Sequence, residues 1–314
     1  MTRSIKEHPI SLRRFAAIVG VITVFGAVWP VVFNGGSAAG QLLVRTHEIE
    51  AVGDAGFEAV MEADLYGETR EVSGPVIERD RASIAAHVSF LRDLDRGLAI
   101  LCLLLTAGLP FLFGKWPKVA WLYLLPAAWL LVNAHAVAVN GGKAFAELAV
   151  PAHATRWGMF VVFALLLSGN LHTDRIEKWV LRIVCALTFA THGWEAFQLN
   201  PPFQDLLYTT FGHVGIELSE SVCNGLLRAI GVMDVLLAVG VTVTHFRPLL
   251  LWMGFWGLIT AASRPLAMGF DAWPEFAMRL PNSAAPMMLV LIGTGMVFSL
   301  SPSKTPRKQE PATR

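Results

Sequence analysis

Eight apolar segments, at residues 14–34, 97–113, 119–139, 157–171, 179–199, 225–244, 249–266 and 284–300, divide this chain, and the charges between them change sign bias from one connection to the next. Each is close to the ~20 residues with which a helix crosses ~30 Å of hydrocarbon. Hydrophobic residues make up 54% of the sequence and charged residues 16%, with a mean hydropathy of +0.53, far from the soluble average. The expected fold class is all-α: a polytopic membrane protein of eight transmembrane helices with one long extracytoplasmic loop.

Lys and Arg near membrane ends are retained on the cytoplasmic side. Arg3, Lys6, Arg13 and Arg14 at the start, Lys115 and Lys118 after the second segment, Arg175 and Lys178 after the fourth, Arg247 after the sixth and Lys304, Arg307 and Lys308 in the tail all fall on one side. The other side receives residues 35–95, with twelve carboxylates against five arginines, and residues 199–224, with Asp205, Glu217 and Glu220 and neither Lys nor Arg. Both termini are therefore expected in the cytoplasm and the acidic loops outside, in a plasma membrane or bacterial inner membrane. The net charge of +1 hides this asymmetry. No basic run with interleaved aromatics suggests nucleic acid. The lipid bilayer is the partner that the sequence declares.

The basic start, the apolar run and Ser37-Ala38-Ala39 together look like a secretory signal with a cleavage site, and Arg13-Arg14-Phe15 faintly like a twin-arginine one. The run is longer than the ~7–15 residues of such a signal, and Trp29-Pro30 stands where an interfacial aromatic belongs. A retained helix is expected. Cys102 and Cys185 lie in apolar segments and Cys223 at the outer end of the sixth, with no Cys-x-x-Cys pair among them. They read as small core residues rather than a working dithiol.

The chain reads as two copies of a four-helix unit, residues 1–171 including the outer loop 35–95, and residues 172–301, followed by a cytoplasmic tail at 302–314. Trp116-Pro117 matches Arg247-Pro248, Ala146 to Pro151 matches Phe276 to Pro281, and Arg96 falls opposite Arg228, at an offset of 130–132 residues. An even number of crossings per copy makes the repeat parallel. In the first copy the outer loop is too long for a plain connection, and from Asp80 to Leu94 it places Ile84, Val88 and Leu91 at helical spacing. An amphipathic helix running into the second crossing is expected there. The carboxylates between Glu48 and Glu71 lack ligand-loop spacing and read as a solvated cap.

Charge in hydrocarbon is costly, so each ionisable residue inside an apolar segment is a site hypothesis. In the fifth segment Thr188, His192 and Glu195 fall within about 60° of one another at 3.6 residues per turn. The histidine and the carboxylate one turn apart can share a proton. Asp234 lies about nine residues below the outer end of the sixth segment, or ~14 Å at 1.5 Å per residue, near the midplane. The seventh segment aligns Met253, Trp256, Thr260, Ser263 and Arg264. Arg264, at the outer boundary, either snorkels to the interface or turns inward to a carboxylate. Haem would require axial ligands at matching depth on facing helices. Only His135 and His192 qualify, and His135 sits about 160° around its helix from Asn133, the residue opposite Arg264 in the repeat. Haem is not expected, and His135 reads as a polar contact between the copies. No His or Cys spacing points to a metal.

Arg182, the stretch Phe189-Ala190-Thr191-His192-Gly193-Trp194-Glu195-Ala196-Phe197, Pro201-Pro202-Phe203, Ile230 to Asp234 and Thr260 to Pro265 resemble the DoxX-like family of four-helix membrane proteins, which includes the DoxD-type subunit of thiosulfate:quinone oxidoreductase. The resemblance covers the second copy; its pattern there is Phe-x-x-His-Gly-x-x-x-Phe. Asp234 stands where many relatives carry Glu, and the first copy keeps Gly26 but has no such histidine, with Cys102 opposite Asp234. The resemblance implies a membrane component linked to redox or sulfur metabolism.

Two functions from different classes follow. In one, the protein is a membrane redox subunit in which Asp234, His192 and Glu195 form the catalytic, protonatable path, while Arg264, with Trp194, Trp256 and Thr260, binds a quinone headgroup or an anion. The sequence supplies proton carriers but no electron carrier, so a redox partner subunit or the quinone itself is required. In the other, it is a non-enzymatic lipid- or small-molecule-binding, transport or assembly protein. The inner halves of the segments are nearly all apolar, which favours an outer cavity over a channel.

Overall fold

A computed structural model describes residues 10–44, 75–112, 116–168 and 174–294. His47, the acidic stretch 48–71, Lys115, the residues before Ile10 and the basic tail fall outside the described residues. Every regular element among those described is helical: α1 (Ile10–Phe33), α2 (Pro75–Leu112), α3 (Leu124–Asn140), α4 (Ala154–Leu167), α5 (Asp174–Phe197), α6 (Pro201–Gly212), α7 (Glu220–Val243), α8 (Arg247–Met268) and α9 (Trp273–Thr294). A helical stretch at 38–44 and short turns at Pro117–Tyr123 and Ala146–Ala152 complete the path.

Among the described residues, six stretches are long and apolar enough to cross a membrane: Arg14–Val44, Ala85–Leu112, Pro117–Asn140, Ala146–Leu167, Glu220–Val243 and Arg247–Met268. Large apolar side chains stand exposed along them, among them Ile18, Leu104, Phe111, Leu236, Val243 and Phe255. An apolar exterior of this extent belongs to lipid rather than water. These are the features of an integral membrane protein. Two of the eight expected crossings are not among these six: α5 carries Arg175, Glu177, Lys178, Arg182 and Glu195, and the eighth apolar segment continues past Thr294 outside the described residues.

Local chemistry sets the helix ends. Proline, whose fixed φ suits the first turn, occupies the start of α6 and α8 and of the turn at Pro117. Ser219 caps α7 by accepting the Val222 N–H at 3.4 Å, and Glu220 adds negative charge beside the exposed amide end. At the other end of α7, Arg182 donates to the carbonyls of Thr242 at 3.3 Å and Thr244 at 2.8 Å while its guanidinium lies 5.5 Å from the centre of the Trp179 ring. A buried cation thereby satisfies carbonyls that have no partner within their own helix.

The helix expected to run into the second apolar segment is present and unbroken: α2 runs for 38 residues, from before Asp80 through that segment. Its Asp95 accepts hydrogen bonds from the backbone N–H and hydroxyl of Ser37, at 2.7 and 2.6 Å. Asn133 accepts from the Ala39 N–H at 3.1 Å, and Asn140 donates to the Ala38 carbonyl at 3.1 Å. The 38–44 helix is thus bound to the middle of α2 and to the C-terminal half of α3.

Helices pair in sequence order. α1 packs on α2 and α4 on α3; in the second half α5 packs on α7 and α8 on α9. The halves meet through α1 with α9 and α4 with α5. Small residues permit the approach: a Cβ on Gly26 would lie 2.9 Å from the Pro274 carbonyl oxygen, and one on Gly257 would lie 2.6 Å from that of Asn282. One apolar core runs through both halves, from Val24, Cys102, Phe160 and Phe163 to Leu181, Cys185, Met253 and Met288. All three cysteines are buried and free, as small core residues are. By contrast α7 and α8, consecutive in the chain, barely touch, which leaves a space between them.

Candidate functional site

That space is a cavity of about 380 Å³ in the second half, between α5, α7, α8 and α9 and beneath α6. On one side of it α5 and α7 cross at two glycines. A Cβ on Gly231 would lie 2.6 Å from the Gly193 carbonyl oxygen and 2.7 Å from the Phe197 nitrogen, a separation that no side chain permits. The same crossing sets His192, next to Gly193, and Asp234, one turn beyond Gly231, on one wall.

Four polar side chains expected at the site line this cavity together with Asp234: His192, Thr260, Arg264 and Trp256. Thr188 and Ser263 line it as well, so the stripes read on the fifth and seventh segments face one space. Glu195 stands behind the wall, buried, with Oε2 3.3 Å from His192 Nδ1. Trp194 is elsewhere: it is 51% exposed on the opposite side of α5 and does not line the cavity. Met253 is buried in the core. Arg264 has turned inward rather than snorkelled, and lies in the electrostatic field of Glu275 and Glu195. His135 is exposed on α3 and makes no hydrogen bond among the described residues.

The two ends of the cavity differ. At one end the Asp234 carboxyl has the Trp256 indole as its polar neighbour, yet Asp234 Oδ1 and Trp256 Nε1 are both buried without a well-formed hydrogen bond. At the other end, eight residues or ~12 Å further along α8 at 1.5 Å per residue, Arg264 is joined by Arg279 of α9. Arg279 pairs with Glu275 one turn away. Arg156, on α4 of the first half, is buried beside them. Neighbouring Thr155 donates its hydroxyl to Asn282 Oδ1 at 2.6 Å, and its N–H is bonded to Thr188 Oγ1 at 3.1 Å. Asn282 and Thr188 both line the cavity, so the first half braces the site from behind.

The roof was not evident as an element. Residues 199–224 read as an acidic loop, but α6 lies there with Phe203, Leu206, Leu207, Thr210 and Phe211 against the cavity. Their spacing of three, four, seven and eight residues is the apolar stripe of an amphipathic helix, and Pro201-Pro202 marks its start. Phe203 rests edge-on against the His192 ring, centroids 6.0 Å apart. Gln204 donates to Asn224 at 2.7 Å and the ring of His213 bonds the Leu266 carbonyl at 2.7 Å, so both ends of the roof are tied down. Leu199 before it takes a left-handed φ of 60° and packs with Ala196, Cys223 and Leu227. Arg156, Glu275, Arg279 and Asn282 also join the Arg264 end without having stood out in the sequence. Near a membrane boundary such residues look like solvated interface, and only the packing of α4 and α9 turns them inward.

No group of three or more His, Cys, Asp or Glu residues suited to a metal ion occurs among the described residues. No family model matches the chain, and neither a curated protein nor a solved structure matches it.

Proposed function

We propose that this chain is an eight-crossing membrane protein, built of two parallel four-helix units at residues 1–171 and 172–301 with both termini cytoplasmic, whose second unit carries a binding site for a small membrane-soluble ligand. The observation that carries the reading is the cavity of about 380 Å³, apolar along its walls and polar at both ends. Such a shape suits a ligand that is mostly apolar with few oriented polar groups. The repeat is supported by the matching helix pairs, α1 with α2 and α3 with α4 against α5 with α7 and α8 with α9. Counting α5 and α9 as crossings is supported by where their polar groups go: Arg182, Glu195 and Asn282 are buried against neighbouring helices rather than turned to lipid.

Within this reading the chain is a DoxX-like membrane component of a redox system, with a quinone headgroup among the candidate ligands. Quinone reduction takes up protons, and His192 with Glu195 and Asp234 are protonatable groups at the cavity wall. A partner subunit would supply the electrons. The second reading, a non-enzymatic binding, transport or assembly protein, is favoured by the almost wholly apolar walls.

Organic extraction of protein purified in mild detergent, followed by mass spectrometry and an optical spectrum, tests the site. A small membrane-soluble molecule should be recovered from the natural protein and be lost from Ile230→Trp, which fills the cavity from α7. Equal recovery from both proteins would disprove the site.

A further inference from the structure

Three guanidinium groups converge where the ends of α4, α8 and α9 meet, with Arg156 in the electrostatic field of Arg279, Glu275 and Arg264. The carboxylates around them are partly engaged. Glu275 is paired with Arg279, and Glu195 with His192. Arg156 is only 8% exposed, and its Nε and that of Arg264 are buried without a hydrogen-bond partner. Neither of these two guanidiniums is in an ion pair among the described residues. Removing a cation from water without giving it a partner is expensive, and placing it beside like charges adds to the cost. Arginines presenting fixed forks of N–H donors are the usual receptors for carboxylate and phosphate.

Arg264 and Arg279 line the cavity, so an anion bound to them would sit at that end of it. A free inorganic anion would leave the apolar walls of Phe189, Leu227 and Ile230 without an occupant. A neutral quinone would leave the guanidiniums of Arg156 and Arg264 unpaired. The cavity also has a mouth toward the lipid: Leu226 of α7 and Ile259 of α8 line it and are exposed, 37% and 40%, at the gap where these two helices barely touch.

We infer that the cavity takes an anionic amphiphile from the membrane, its carboxylate or phosphate head on Arg264 and Arg279 with Arg156 behind them, and its chain along the apolar walls toward the gap between α7 and α8. The inference rests on the cavity being a ligand site, as proposed above, and names the ligand's chemistry. Arg156 makes the site a joint product of both halves.

The test is binding of a dansyl-labelled undecanoic acid to the full-length protein in an uncharged maltoside detergent, beside its methyl ester, a short-chain quinone and inorganic phosphate as competitor. The acid should bind about tenfold or more tighter than the ester, the effect of a charge-assisted pair. Arg264→Gln should weaken the acid by a similar factor and leave the ester unchanged, and millimolar phosphate should not displace the acid. Equal affinity for acid and ester would overturn the anionic head while leaving the cavity a ligand site. Displacement by phosphate would overturn the amphiphile in favour of a free anion. If acid, ester and quinone all fail to bind, the ligand site itself is wrong. Should Arg264→Gln not fold, the comparison of acid with ester on the natural protein still decides.

Discussion

Gly193 and Gly231 face each other across α5 and α7 so closely that a Cβ on either would meet the other's carbonyl oxygen, at 2.8 and 2.6 Å. The obstacle is backbone, which cannot rotate away as a side chain can. Gly193→Ala should therefore force the helices apart and cost about 1–3 kcal/mol, as overpacking does. Gly225, also on α7, has nothing within 4 Å of its would-be Cβ. Gly225→Ala should be neutral or stabilise by about 0.5–1 kcal/mol, because alanine loses less backbone entropy in a helix. Thermal unfolding of both variants in one detergent makes the comparison, and equal melting temperatures would show that the crossing is looser than this.

Arg182 forks onto two carbonyls at the end of α7, those of Thr242 and Thr244. Arg182→Met keeps most of the apolar stem and removes the donors. Hydrogen bonds to a charged group contribute about 1.5–3 kcal/mol each at most, so a loss of that order is expected. It should appear as faster amide exchange in the last turn of α7, with probe affinity per folded molecule unchanged, since the cavity lies at the other end of the helix. A loss of affinity equal to that of Arg264→Gln would mean the two ends are coupled.

How much of this was legible in the sequence depended on what each residue contrasts with. Asp234, His192, Glu195 and Arg264 stand out because charge is rare against an apolar background, and they do come together. The run of helix into the second apolar segment was visible as apolar spacing at Ile84, Val88 and Leu91, and α2 carries it. Arg156 and Arg279 gave no such contrast, being close to the ends of apolar segments where arginine is ordinary. The roof helix α6 was hidden by its acidic surroundings, although Phe203, Leu206, Leu207, Thr210 and Phe211 spell its stripe. α9 opens at Trp273, eleven residues before the apolar segment read at 284–300, and continues through Pro281 and Pro286. The pairing of α1 with α9 is a property of the assembled bundle, with no local signal beyond Gly26.

Asp234 is buried at 6% exposure with Oδ1 unpartnered. Asp234→Asn keeps the shape and should change stability by less than about 1 kcal/mol, while Asp234→Leu should fold at least as stably, because it removes a buried acid that lacks a complete set of partners. Both should reduce ligand affinity, leucine more. A well-folded Asp234→Leu protein that binds and works as the natural one does would reduce this residue to a tolerated one.

The proposed orientation puts the α6 end of the second half outside and the connection of α7 to α8 inside. In a background without Cys102, Cys185 and Cys223, a single cysteine at exposed Gly212 should react in intact cells with a membrane-impermeant thiol reagent. One at exposed His245, on the far side of α7, should react only after permeabilisation. Labelling of the His245 position in intact cells would reverse the topology.

The hydrogen bond from Thr155 to Asn282 joins the two halves directly behind the cavity. Thr155→Val leaves a buried amide oxygen without its donor, a loss of about 1–3 kcal/mol. Asn282→Leu strands the threonine hydroxyl instead, although Thr188 at 3.4 Å can relieve part of that. The double variant removes both ends at once and should be less damaged than the sum of the singles, with a coupling of about 0.5–3 kcal/mol. Because Asn282 lines the cavity and Arg156 follows Thr155, the singles should also loosen the anion end of the site, and probe affinity should fall with stability. Stabilities that add to within about 0.5 kcal/mol would mean that the halves are held by apolar packing alone and that the first half is a passive scaffold for the second.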